Sequence, residues 1–495
     1  MVPHSNPRTR TSSLDRASTI VVLIGGLIFA GFLYRQGSPY AGGADSSGYL
    51  NSAELMSHGH FFGPVRAPAG YGHASFSRGA FEPLGFRVDP QIPRMAPTYP
   101  LGLPLHLMAA AAIGGWDRAS LIVSVFAALA GGAILWSLAR LLQFSPAWAA
   151  VAVIWLWLCP QYVFCALQPM SDSLALLWSL VALYTAMRSR EAAWWCVACG
   201  AALAMAILVR PTNSLLVIPV LIAVGPRLRP LLWLVSGGIP GAVFLGFYNH
   251  HVYGAILTTG YGDVGAAFSR HNVPHNVQHI LGWSWRLLTP LIGTVMALPF
   301  LARKWTKEAV VLSVWAGLLI GFYSFYYHTG ETWWYLRFIL PAFPILILGA
   351  IAGAQEIMSR AKFAPTIGLA AVLVVLLPWE TKFNRELHSG AIQGEEMTYR
   401  QSADWVRHNL PVQSAIFCMQ VSGALYFYTD FLLVRWDTIE PGSIAPLLGV
   451  LRDQHRPVYA VLYEFEAKGA LARIGGEWKK ITTVGAATVW QRESP

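Results

Sequence analysis

The sequence predicts a polytopic α-helical membrane protein of about eleven or twelve membrane segments, ending in a small α/β domain. Three observations carry this expectation. The 495 residues are 55% hydrophobic and only 12% charged, where a soluble domain has about 25% charged residues. Apolar runs recur along the first three quarters of the chain. Beyond Trp379 that texture gives way to short, turn-separated apolar stretches. The 20 Trp, 19 Tyr and 24 Phe fit interfacial anchoring, and the net charge of +10 is spread over short loops. That spread is the pattern of cationic cytoplasmic loops and not of a nucleic-acid-binding block, so no nucleic-acid partner is expected.

Taken in order, Arg8, Arg10 and Arg16 precede an apolar run from Ser18 to Tyr34. No small-residue cleavage site follows it, so it reads as an uncleaved first membrane helix behind a cytoplasmic tail, 1–17. Further runs fall at 119–139, 147–166, 173–188, 193–209, 212–225, 230–248, 286–302, 308–327, 337–357 and 363–379, with a weaker one at 98–115. Some are shorter than the roughly 20 residues of an upright span. Arg140, Arg188 with Arg190, Arg227 with Arg229, Arg303 with Lys304 and Lys307, and Arg360 with Lys362 occupy every second loop, which places all five clusters in the cytoplasm. Parity then leaves the 98–115 segment without a net crossing. Its Pro97, Pro100 and Pro104 spacing suits a broken or re-entrant segment. The count is eleven crossings, and 380–495 is left outside.

Three segments therefore share the external face: a loop over 35–97, a loop over 249–285 and the tail over 380–495. The tail alternates strands at Ala415 to Val421, Leu432 to Trp436 and Val458 to Tyr463 with helices at Tyr399 to Asn409, Ser443 to His455 and Glu464 to Leu471. That order predicts a partly parallel sheet, and no Gly-rich phosphate loop accompanies it. The five Cys give no disulfide framework, and Cys196 with Cys199 read as helix packing.

Charges near the external ends of the apolar runs are few, and each is a functional candidate because ionisable groups are costly in a membrane. Asp45 stands in Gly42-Gly43-Ala44-Asp45-Ser46-Ser47-Gly48-Tyr49 and Asp172 in Gln168-Pro169-Met170-Ser171-Asp172-Ser173. The bland reading of each is a helix N-cap. The functional reading is a pair of carboxylates at one face, sharing a proton-transfer task or a divalent cation, so Asp45 and Asp172 are also the tentative metal ligands. Arg210, before Pro211, and Arg337, in Trp333-Trp334-Tyr335-Leu336-Arg337-Phe338-Ile339-Leu340-Pro341, break the positive-inside pattern. A guanidinium there either snorkels to headgroups or grips a phosphate with two prongs. Glu54 and Glu331 are second-rank acids, and Tyr49, Tyr99, Trp334 and Tyr335 are candidate lining for a sugar or isoprenoid, against interfacial anchoring as the alternative. His250, His251, His271, His275 and His279 are too irregularly spaced for a metal motif.

The acid in the first external loop, the Pro97 to Pro100 element, the acid after Gln168-Pro169, the Arg210-Pro211 pair and the Tyr335 to Pro341 stretch together resemble the GT-C glycosyltransferases. Within them the likeness is to the bacterial protein-mannosyltransferase-like branch, which includes aminoarabinose transferases and Rgt-type lipopolysaccharide glycosyltransferases. It covers roughly residues 18–380, so 18–379 is expected to be a GT-C-like transmembrane domain and 380–495 an extracytoplasmic α/β domain of a multi-pass bacterial inner-membrane protein. What the resemblance implies is inverting transfer of a sugar from a polyprenyl-phosphate donor to an extracytoplasmic acceptor. Asp45 then matches the catalytic base or metal ligand, Asp172 the second acid, and Arg210 and Arg337 the donor-phosphate contacts. Ser46 stands where the family often has a second acid. The competing class is a transporter or flippase, which calls for paired repeats and an ionisable residue deep within a helix; neither is visible in the sequence. Clustering of Asp45, Asp172, Arg210 and Arg337 marks the enzyme, and their scatter a scaffold that only presents the tail.

Overall fold

The computed structural model describes residues 13–69, 79–88, 94–298 and 306–493; Arg8, Arg10, Arg303 and Lys304 lie outside them. The first helix, α1 (Ser13–Gln36), leads by a short turn into α2 (Gly43–Ser57). A three-stranded antiparallel sheet follows, β1 (Gly63–Pro64), β2 (Phe86–Val88) and β3 (Arg94–Pro97), with β3 central. The helices α3 (Gly102–Gly114), α4 (Trp116–Leu141), α5 (Pro146–Leu158), α6 (Pro160–Ala166), α7 (Asp172–Met187), α8 (Ala193–Val209), α9 (Val217–Val224), α10 (Leu228–Tyr253) and α11 (Val273–Leu287) come next. The membrane part closes with α12 (Lys307–Ser324), a 3₁₀ segment Trp333–Ala342 running into α13 (Phe343–Arg360), and α14 (Pro365–Glu386).

Six of these units are long and apolar enough to cross a bilayer. The pair α5 and α6 makes a seventh, bent by 62°. The bend has a local cause, because Pro160 has no N–H to continue the ladder of α5. Four shorter apolar helices complete the bundle, α3 among them at 13 residues. At about 1.5 Å per residue α3 falls short of a 30 Å hydrocarbon core. The apolar run at 286–302 is not one continuous helix: α11 ends at Leu287, Thr289 takes a positive φ, and Pro290 opens a 3₁₀ segment to Ala297. The spanning helix expected there is therefore broken over its described part. Likewise α14 runs on to Glu386, past the expected domain boundary. It carries Glu380, fully buried, whose Oε1 accepts from Trp155 Nε1 at 3.0 Å. Glu380 sits near the end of α14, beyond the apolar run 363–379, and its hydrogen bond ties α14 to α5.

The tail forms α15 (Ile392–Asn409), β4 (Ala415–Cys418), α16 (Ser422–Tyr428), β5 (Leu432–Arg435), α17 (Pro441–Asp453), β6 (Val458–Tyr463), α18 (Glu464–Ile474), β7 (Trp478–Val484) and β8 (Ala487–Arg492). The sheet order is β5-β4-β6-β8-β7, with β4 parallel to both β5 and β6 and the last hairpin antiparallel. Apolar clusters cover both faces of the sheet. This domain is seated on α2: Asn51 Nδ2 donates to Gly423 O at 3.0 Å, Ala41 N to Tyr428 Oη at 3.1 Å, and Arg400 pairs with Asp117 at 3.4 Å.

Candidate active site

Four charged side chains distant in sequence meet at the end of α2. The Gly43 that opens this helix has φ +50°, a conformation glycine adopts without strain. It starts α2 early enough to place Asp45 in the first turn. Asp45 is thus not the N-cap; that position is Gly42, which makes no side-chain cap. Asp172 is the first residue of α7, and Ser171 before it likewise gives no cap. Neither carboxylate is used up by its own helix, though each helix's positive end favours it. Arg210 leaves the axis of α8 because Pro211 forces the residue before it into extended geometry, here φ −149° and ψ 111°. Arg337 projects from the 3₁₀ segment.

Together they form an alternating chain of charge. Arg337 Nη2 donates to Asp45 Oδ2 at 2.6 Å, and Arg210 Nη2 to Asp172 Oδ1 at 2.6 Å. Arg337 Nη1 lies 3.9 Å from Asp172 Oδ2, linking the two pairs. Tyr49 Oη donates to Ser171 Oγ at 3.0 Å, while Tyr99 rests against Tyr49 with ring centroids 4.9 Å apart. The two acids differ in access: the Asp172 side chain is 1% exposed and that of Asp45 27%. Burial pushes the Asp45 carboxyl upward, but the neighbouring Arg337 guanidinium and a hydrogen bond from Tyr99 outweigh it and hold the group below the usual carboxylate range. Arg337 Nε and Asp172 Oδ2 are buried with no hydrogen-bond partner.

The network opens into a cavity of about 870 Å³. Tyr49, Tyr99 and Tyr335, candidates from the sequence, are among the residues that line it. Glu54, Glu331 and Trp334 are not among its lining residues: Glu54 is on the opposite face of α2, beside Arg66 and Asp430, Glu331 pairs with His328 at 2.8 Å, and the Trp334 carbonyl accepts from Gln161 while its ring packs beside Trp333 and Tyr335. His328 itself reaches the cavity and stacks on Tyr335 at 4.9 Å. The sequence reading missed Tyr261 and Asp263, on the connection after α10, and the aromatic wall of Tyr323, Tyr326 and Phe338. The density of rings in 322–338 was the available signal for that wall. The connection after α10 has none, since its residues become lining only when it folds back over Pro100 and Tyr99.

Among the described residues no three His, Cys, Asp or Glu side chains group as a metal cluster, and the five His of 249–285 are dispersed over α10, a 3₁₀ turn and α11. Two carboxylates already held by two guanidinia do not fit a hard divalent cation, which takes about six to eight oxygen ligands. The free Cys196 and Cys199 are buried in packing.

No protein-family profile matches the sequence, and no curated protein matches it either. Solved structures do match. ArnT from Cupriavidus metallidurans bound to undecaprenyl phosphate superposes with a TM-score of 0.61 at 13% identity, covering 96% of this chain and 97% of that one. The fold is that of the GT-C glycosyltransferases. The apo form of the same ArnT gives 0.61 at 15% identity over 96% and 98% of the two chains. The arabinofuranosyltransferase AftD from Mycobacteria gives 0.53 at 12% identity, with 96% of this chain matched to 41% of AftD. Within this GT-C fold the coverage reaches past α14, so the tail domain belongs to the shared architecture. The four charges meet at the cavity and do not scatter.

Proposed function

We propose that the chain is an inverting glycosyltransferase that moves a sugar from a polyprenyl-phosphate donor to an acceptor hydroxyl or amide on the extracytoplasmic side of a bacterial inner membrane. The observation that carries this reading is the Asp45–Arg337–Asp172–Arg210 network at the mouth of an aromatic-lined cavity. The ligand bound in the C. metallidurans ArnT structure, undecaprenyl phosphate, supports a donor of that class. Inversion needs a base on one face of the anomeric carbon and a stabilised leaving phosphate on the other.

Asp45, with access to the cavity, takes the acceptor's proton. The acceptor's electron pair attacks the anomeric carbon, the bond from that carbon to the phosphate oxygen breaks, and polyprenyl phosphate leaves with its charge held by Arg337 and Arg210. Asp172 is too buried to receive a substrate proton; it positions both arginines. In the ligand-free state Arg337 suppresses the basicity of Asp45. A donor phosphate that draws on Arg337 weakens that hold, so donor binding itself readies the base. No step is routed through a metal ion.

The deciding experiment is radiolabelled transfer from a panel of polyprenyl-phosphate sugars, wild type against Asp45→Asn. Transfer by neither protein from any donor, with lipid-linked substrate moved across proteoliposomes instead, would favour the flippase reading.

A further inference from the structure

A second cavity lies between α1, α5 and α14, with a volume of about 490 Å³. It is unlike the Asp45 cavity in lining and in access. Phe29, Phe32 and Trp157 make its floor, with Phe29 stacked on Phe32 at 6.1 Å and on Trp157 at 5.7 Å. Gly25 keeps it open, since a Cβ there would lie 3.6 Å from the Trp157 ring and any longer side chain would fill the space. The flanks are helices whose other residues, such as Leu27 and Val374, are highly exposed, so the cavity opens sideways toward lipid.

Its polar end is on the same face of the membrane part as Asp45, where α1 ends and α14 ends. Most polar groups there are satisfied by the chain itself: Asn384 Nδ2 donates to Leu158 O at 2.6 Å, and Thr381 Oγ1 to Leu377 O at 2.7 Å. Lys382 pairs with Glu386 at 3.7 Å. Arg385, which lines the cavity, has no ion-pair partner among the described residues. Arg35 has none either, and it stands two helical turns beyond Ile28 on the stripe of α1 that faces the cavity. Two unpaired arginines at the non-cytoplasmic end of an apolar groove are the complement of an anionic headgroup with a hydrocarbon chain.

We infer that this groove binds one anionic glycerophospholipid from the leaflet on the Asp45 side, its phosphate between Arg35 and Arg385 and an acyl chain along Phe29, Phe32 and Trp157. The occupant is not the sugar donor. Helix α6 separates the two cavities, with Val163 facing the groove and Gln161 Nε2 donating to Trp334 O at 3.2 Å in the segment that carries Arg337. The inference is therefore independent of the proposed reaction.

The test is native mass spectrometry of the full chain transferred from nanodiscs of phosphatidylcholine with or without phosphatidylglycerol. Wild type retains one phosphatidylglycerol, and its melting temperature rises with that lipid. Arg385→Gln weakens retention about tenfold, equivalent to roughly 1.4 kcal/mol, and Gly25→Leu abolishes it by filling the groove. Neither position touches the Asp45 network, so the folded fraction of each variant, read by gel filtration, stays at the wild-type level. Equal retention by wild type and both variants overturns the inference, and so does equal retention of phosphatidylcholine. Displacement of phosphatidylglycerol by stoichiometric undecaprenyl phosphate also overturns it, since it would make the groove a donor site.

Discussion

Asp45 and Asp172 are the same residue type, both in the first turn of a helix, and their surroundings set them apart. Both line the cavity, but the Asp45 side chain stays partly exposed while that of Asp172 is buried against two guanidinia. Asp45→Asn is expected to reduce transfer by about 10²–10⁴-fold while leaving the protein inserted and folded; a well-expressed, active variant would sink the central claim. Arg337→Lys, which replaces a planar fork with a point charge, should lower kcat/KM on the order of 10²-fold, measured with saturating acceptor. The pH profile gives a sharper test. Arg337 holds Asp45 below the usual carboxylate range in the free protein, and bound phosphate competes for Arg337. The acid limb of kcat should therefore lie at higher pH than that of kcat/KM, because the first reports the complex and the second the free enzyme. Coincident limbs would contradict the proposed release of the base. Glu396 titrates in the opposite sense. Its Oε2, shut off from solvent without a partner, fills the space that a side chain on Gly42 would take, and burial, with Glu395 and Asp45 nearby, pushes the group up to about 8. Between its ordinary value of 4.5 and about 8 the folded chain keeps a proton that the unfolded chain has lost, so stability falls as pH rises across that window. Glu396→Gln should flatten that slope in melting scans and raise the melting temperature at the alkaline end.

Helices in this bundle are held where small residues let backbones approach. A Cβ on Gly200 of α8 would collide with Leu234 O of α10, and one on Gly237 of α10 with Val197 O of α8. Gly200→Ala should destabilise by about 1–3 kcal/mol, whereas Gly317→Ala, whose Cβ meets nothing within 4 Å, should be neutral; detergent melting of the two distinguishes this from a general intolerance of substitution. Most elements with a strong apolar run were legible in the sequence, as were strands β4, β5 and β6 and helices α15, α17 and α18, whereas the short α16 between β4 and β5 was not read. The last hairpin, β7 with β8, was not read, because its exposed β7, Trp478-Lys479-Lys480-Ile481-Thr482-Thr483-Val484, lacks a clean apolar alternation. The bend at Pro160 was invisible for a different reason: proline permits a break, but packing against the 3₁₀ segment decides its angle.

At the scale of the whole molecule, orientation rests on charge. Reporters fused after Arg360 and at the C-terminus should behave as cytoplasmic and external, respectively, and a cytoplasmic C-terminal reporter would overturn the external placement proposed for Asp45 and the tail domain. By itself the sequence determined the class, the approximate spans, the sidedness expected from Lys and Arg, and a short list of charges near the outer face. Those follow from transfer free energies and hydrophobic periodicity, which are properties of local composition. Only the tertiary structure decided that Asp45 and Asp172 are bridged by Arg337, that Glu54, Glu331 and Trp334 stand away from the cavity, and that the connection after α10 closes over it. Those depend on contacts between residues as far apart as Asp45 and Arg337, 292 positions in sequence, and no local pattern encodes which of the few outer-face charges will meet.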